Sequence, residues 1–307
     1  MMRSLYSAIT GLKNHQTSMD VIGNNIANVN TAGYKRERAS FATMLGQAIQ
    51  DASKPTTGVG GTNGIAVGLG SVLGSVEIIG TQGSSQYTGK DTDMMIQGSG
   101  FFVLNQGGTP YYTRTGNFGF DENGYLVDNN TGAYVQGYLN QDLTVATPTY
   151  LDKTLSTSLK KIKVSDADSI DDADTTADPL ITGYSLDSYS IDSKGVITGV
   201  FVDNSTGIQM TREIARIALA SFSNPTGLSY EGNNFYTTSN NSGTANLGYP
   251  GDSGKGGITT SYLEMSNVDL SQEFTDMIVT QRGFQANSRV ITVSDSLLEE
   301  LINLKRS

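Results

Sequence analysis

The sequence predicts an α+β fold: coiled-coil-type helices at the two ends enclose an all-β body of short strands and hairpins, with Gly-rich connections. Three observations predict it. Apolar residues recur every seven positions at both termini. Between them, short apolar runs are separated by turn signals, and glycine, 36 of 307 residues, gathers at the connections.

The first helix is expected from about Ser4 to about Asn28. Leu5, Leu12, Met19 and Ile26 fall seven apart, with Ile9, Ile22 and Val29 widening the stripe. Its end is polar: Asn24-Asn25-Ile26-Ala27-Asn28-Val29-Asn30-Thr31-Ala32-Gly33. Asn side chains compete for backbone hydrogen bonds and Gly33 accepts positive φ cheaply, so the chain turns there. Tyr34 to Gln50 contains a possible amphipathic segment through Phe41, Met44, Leu45 and Ile49. Gly58 to Gly74, with seven glycines in seventeen residues, reads equally as a linker or as irregular extended structure.

From Gln86 the pattern is β. Met94-Met95-Ile96, Phe101-Phe102-Val103-Leu104 and Tyr111-Tyr112-Thr113-Arg114 are separated by turn signals such as Gln106-Gly107-Gly108. A weak internal echo follows: Asp121-Glu122-Asn123-Gly124 before Asp128 to Gly132, then Asp192-Ser193-Lys194-Gly195 before Asp203 to Gly207. Both read as successive hairpins. The final helix is expected after a cap at Asn267 or Asp269. Leu270, Met277, Phe284, Ile291 and Leu298 form its seven-spaced seam, flanked by Phe274, Ile278, Leu301 and Ile302. About 37 residues of helix would run ~55 Å, longer than a small β-domain can cover, so part of it must meet another helix. These elements divide the chain into a helical assembly domain (1–33 with 267–307), a linker region (34–85) and a β-domain (86–266) with a surface excursion near 140–186.

Composition excludes several function classes. A net charge of −10 without a Lys/Arg cluster leaves no basic face for nucleic acid. No stretch approaches 18 consecutive apolar residues, so no membrane insertion is expected, and the start reads as amphipathic rather than as a Sec-type leader. His15, the sole histidine, stands three residues from Leu12 on the first helix and reads as an ordinary helix residue; one histidine and no cysteine remove multi-His and thiolate metal sites. The acidic run Asp166 to Asp178 fails the EF-hand pattern at Ile170, Asp171 and Ala177 and reads as a solvated loop. Gly98-Ser99-Gly100 leads into a strand, and Gly251 to Lys255 lacks Walker A spacing, so neither cradles a phosphate. Asp91 and Asp93 lack the aromatic cleft a glycosidase needs. No enzyme activity and no cofactor are expected.

Three stretches carry a resemblance to a known family. Leu5 to Leu12 with Asp20 to Lys35 resembles the N-terminal signature of bacterial flagellar rod and hook proteins, and Leu263 to Ser288 the paired C-terminal signature. Asp93-Met94-Met95-Ile96-Gln97-Gly98-Ser99-Gly100-Phe101-Phe102-Val103 is similar to the family's central β motif. The ending Ile291 to Arg306 and the opening Met2-Arg3-Ser4-Leu5-Tyr6 are most similar to short hook proteins of Gram-positive-type bacteria, with the distal rod protein as the alternative. The chain departs from longer hook proteins in that Asn140 to Leu186 is too short for a sizeable outer domain.

The resemblance implies a self-assembling helical tube with terminal helices lining its channel, acting as a flexible joint that passes torque from rod to filament. It implies export through the flagellar type III secretion apparatus without a cleaved signal, to the hook outside the cell. The implied partners are further copies of the chain, the export apparatus, and the distal rod, hook cap and hook–filament junction proteins. The expected assembly interface is Leu5, Ile9, Leu12, Met19, Ile22, Ile26, Leu270, Phe274, Met277, Phe284, Ile291 and Leu298. The motif turn is Asn24, Asn25, Asn28, Thr31, Gly33 and Tyr34.

Overall fold

The computed structural model describes residues 2–55, 60–140, 159–164, 184–203 and 207–306. The acidic run and most of the excursion near 140–186 lie outside the described residues. The chain forms two compact units, one of residues 1–29, 35–79 and 268–307, the other of residues 30–34 and 80–267.

In the helical unit, α1 (Met2–Ala27) and α2 (Leu270–Arg306) are the two predicted terminal helices. Asp269 caps α2: its Oδ1 accepts from the backbone N–H of Ser271 at 2.8 Å, and Glu273 follows in the first turn, where the helix dipole favours a carboxylate. The described residues of 35–55 and 60–79 are rich in strand. They form β1 (Glu37–Thr43), β2 (Gly46–Gln50), β3 (Ile65–Gly68) and β4 (Ser71–Ile78), with β1 antiparallel to β4 and β2 antiparallel to β3. The apolar residues of 34–50 therefore stand on ribbons: Phe41 is 45% exposed and Leu45 88%. Strand wins because Val72, Val76 and Ile78 on the partner run are β-branched, and cross-strand pairing supplies the backbone partners that a Gly-rich segment cannot find in a helix. The ribbon packs on α1: Ser71 N–H donates to Thr10 Oγ1 at 3.4 Å and Asn14 Nδ2 to Ser71 Oγ at 2.7 Å.

The β-body is built on a large sheet. Phe101–Gln106 is central, pairing with Thr109–Thr113, Tyr134–Leu139 and Leu219–Ser221; the meander Tyr184–Ile191, Val196–Asp203, Gln209–Ile217 continues it beyond Tyr134–Leu139. Met94, Phe102, Leu104, Phe118, Leu126, Ile197, Phe201 and Leu219 are fully buried in one cluster. The sequence echo corresponds to repeated turn chemistry. Gly124 N–H donates to Asp121 O and Gly195 N–H to Asp192 O, while Gly132 bonds Asp128 O and Gly207 bonds Asp203 O, all at 2.8–3.0 Å. Each of the four glycines has φ between 68° and 77°.

Candidate assembly interface

The contact between α1 and α2 follows from three pairs. A Cβ on Gly11 would lie 2.5 Å from Asn287 Nδ2, a Cβ on Gly283 would lie 2.5 Å from His15 Cε1, and Asn25 Nδ2 donates to Glu273 Oε2 at 3.2 Å. Each step up α1 is a step down α2, so the helices are antiparallel. On α1 the seam is Leu5, Leu12, Met19 and Ile26, all half-buried, alternating with buried Ala8, half-buried His15 and buried Ile22. Ile9 is 47% exposed, beside the seam rather than in it.

On α2 the predicted line Met277, Phe284, Ile291, Leu298 is half-buried, but it is one of two. The second is polar: Glu273, Thr280 and Ser294 are buried and Asn287 half-buried, again seven apart. A repeat of apolar residues does not mark this line, because its members are polar. The same interval of seven in polar residues was the available signal. Leu270 and Phe274, predicted for the seam, are 39% and 50% exposed. Ile278, Val279, Val293, Leu301, Ile302 and Leu304 are more exposed still. Among the described residues, large apolar side chains that face solvent lie almost entirely in the helical unit, the exceptions being Tyr87, Ile208 and Tyr230. A monomeric protein does not leave such a surface open without use.

A polar knot ties this seam to β1. Glu273, fully buried, accepts from Arg36 Nε on Oε1 and from Asn25 on Oε2; Arg36 Nη2 also reaches Asp276 Oδ2 at 3.4 Å. Asn25 treats Glu37 as a strand neighbour would: its Nδ2 donates to Glu37 O at 2.8 Å and its Oδ1 accepts from Glu37 N–H at 2.9 Å. Burial raises the Glu37 carboxyl above its ordinary range, and a hydrogen bond with Asn24 opposes the shift. Arg36 is the functional residue the sequence reading missed. Arg36→Met leaves Glu273 a buried carboxylate without its cation, and we expect the helical unit to lose about 2 kcal/mol. Hydrogen exchange at the first turns of α2 measures it; unchanged protection there contradicts the role given to Arg36.

The motif turn divides between the two units. Asn24, Asn25 and Asn28 close α1, with Asn28 Nδ2 bonded to Asn24 O at 3.0 Å. Thr31, Gly33 and Tyr34 belong to the β-body. Gly33 has φ +73° and its N–H donates to Glu264 O at 2.7 Å. Thr115 Oγ1 at 3.4 Å and Asn234 Nδ2 at 3.0 Å both donate to Ala32 O, and Tyr34 is buried. Behind the turn, Arg114 Nη1 pairs with the fully buried Glu264 at 3.3 Å and Arg114 Nη2 donates to Gly98 O at 2.7 Å.

Nothing in this arrangement is a nucleophile beside a base. The chain's relatives are flagellar rod and hook proteins. "Flagella basal body rod protein" matches residues 5–35, "Flagellar hook protein FlgE/F/G D1 domain" residues 95–199, and "Flagellar basal body rod FlgEFG protein C-terminal" residues 259–304. The flagellar basal-body rod protein FlgG of Bacillus subtilis (strain 168) is 42% identical over 308 residues, covering all of both chains. The chain belongs to the flagellar hook and rod family. The flagellar hook protein FlgE of Borreliella burgdorferi is 33% identical over 446 residues, covering 99% of this chain and 100% of that one. That of Helicobacter mustelae is 47% identical over 146 residues, covering 47% of this chain and 32% of that one. Membership makes the chain a structural subunit of the flagellar axis rather than an enzyme. Among the described residues, no helix is long and apolar enough to cross a membrane.

Proposed function

We propose that the chain is the subunit of the flagellar hook, a self-assembled helical tube that passes torque from rod to filament while bending. The exposed apolar surface of the helical unit carries the assembly part of this reading. Of the twelve expected interface residues, eight close the helix pair within a subunit (Leu5, Leu12, Met19, Ile22, Ile26, Met277, Phe284, Ile291), Leu298 is half-buried where α2 runs past α1, and three face outward for further copies (Ile9, Leu270, Phe274). A heterologous contact between copies that does not close into a ring produces a helical filament. Residues 1–33 with 267–307 would then be the assembly core. The hook rather than the rod is supported by the alignments to hook proteins, which run through the whole chain and reach 47% identity over part of it. The rod and the cap and junction proteins would be its neighbours, reached by export through the flagellar apparatus.

A distal-rod subunit is the second reading. It rests on length and identity: the Bacillus subtilis rod protein is 42% identical over 308 residues, whereas the Borreliella hook protein is 33% identical over 446. Electron microscopy of the purified chain under polymerising conditions tests both. Curved tubes are expected for a hook; straight tubes favour the rod, and a chain that stays monomeric overturns the assembly reading.

A further inference from the structure

The apolar seams have a weakness as a specification. Leu5, Leu12, Met19 and Ile26 repeat every seven residues, and so do Met277, Phe284, Ile291 and Leu298. Sliding one helix by seven restores the same apolar layers, so these residues alone cannot choose a register. Something aperiodic must choose it, as a single polar side chain does in a coiled-coil seam.

Two reciprocal contacts have that character. Asn287 of α2 lies over Gly11 of α1, its Nδ2 2.5 Å and its Cγ 3.2 Å from where a Cβ would stand. Four residues along each helix the roles reverse: His15 of α1 lies over Gly283 of α2, with Cε1 at 2.5 Å and Nε2 at 2.6 Å from the Cβ position. Each helix thus presents one hole and one knob, in the order Gly-x-x-x-His and Gly-x-x-x-Asn. A slip of seven would set His15 against Val290 or Asp276 and Asn287 against Ser18 or Ser4, losing both holes together. Asn25 would leave Glu273, and with it the bond that ties the seam to β1.

We propose that these two knob-in-hole pairs, Asn287 over Gly11 and His15 over Gly283, select the register of α1 against α2. They thereby set the length of α2 left to meet a second copy of the chain. In this register Met2, the first residue of α1, stands level with Ser296. Residues 297–306 extend past it by about 15 Å at 1.5 Å per residue. That overhang carries Leu297, Leu301, Ile302 and Leu304, at 46%, 51%, 60% and 72% exposure. A slip of seven in one direction would cover most of it; in the other it would lengthen it by two turns. The consequence for assembly rests on the reading above; the register itself does not.

The test uses the absence of cysteine from the full chain. Ser18 and Thr280 lie one heptad from both the Gly11–Asn287 and the Asn25–Glu273 pairs, so Ser18→Cys with Thr280→Cys reports the register. In the parent background, an intrachain disulfide is expected on oxidation, in the soluble chain or in assembled tubes. Adding Gly11→Leu and Gly283→Leu fills both holes while raising helix propensity, so helix content by circular dichroism should not fall. Overpacking two holes should move the equilibrium away from the in-register state at least roughly tenfold. Loss of the disulfide with helix content retained supports the proposal. An equally efficient disulfide in the filled variant, or none in the parent in either form, overturns it. A parent that forms the disulfide but no tubes instead sinks the assembly reading and leaves the register selection standing.

Discussion

Deleting Leu298 to Ser307 should yield a soluble chain that no longer polymerises. The removed segment includes Leu301, Ile302 and Leu304, each more than half exposed, so the helical unit gives up little of its own packing. What it gives up is apolar surface that gains only when another copy covers it. At about 25 cal/mol per Å² of apolar area removed from water, a few such side chains per contact decide whether identical subunits associate. The β-body, a separate unit ending at Asn267, should melt as in the full chain. Sedimentation and electron microscopy of parent and truncation under the same conditions make the comparison. Tubes from the truncated chain at the parent's rate would show that the terminal helix is not the assembly element.

Replacing Gly33 by Ala should damage the β-body more than the same change at Gly132, a turn glycine of similar φ with open space around it. Two penalties combine there. A side chain at φ +73° is strained, and the new Cβ would stand 2.7 Å from Thr115 Oγ1 and 2.8 Å from the backbone N of Thr115. The hydroxyl can rotate away; the backbone nitrogen cannot. Strain of 1–3 kcal/mol plus overpacking of similar size gives a loss of roughly 3–4 kcal/mol. For a unit of this size, that is a fall in melting temperature of roughly 10 °C. Gly132→Ala is the control: φ is +69° but no atom lies within 4 Å of its Cβ position, so strain acts alone. Equal losses in the two variants would show that the contact with Thr115 has no weight. Because residues 30–34 are seated in the β-body through Ala32 O and Gly33 N–H, the Gly33 variant also asks whether the motif turn must be seated for tubes to form.

Much of this architecture was legible in the sequence because it depends on local period and turn chemistry. The spacing of Leu5 to Ile26 and of Leu270 to Leu298 marks two helices without reference to a partner. The Asp…Gly pairs at 121–124 and 192–195 mark hairpins because only the turn residues decide them. The strands in 35–79 were not legible. A Gly-rich run with interleaved Val, Ile and Leu is compatible with linker and with ribbon, and the choice is made by cross-strand pairing between residues far apart in sequence, such as Arg38 with Glu77, 39 residues on.

The sequence by itself determined that this chain has helical segments at its two ends with a β-body between them in sequence, and that it carries the rod and hook signatures. Period, composition and motif order are properties of the chain alone. The tertiary structure decided which helix faces meet, where the buried charge lies, and which apolar residues remain outside. The seven-residue repeat of Leu12 and Phe284 is the same in every slipped arrangement. The knot of Arg36, Asn25 and Glu273, and the nesting of Asn287 and His15 over glycines, exist in only one. A periodic seam states that two helices pack; only pairs that break the period state where.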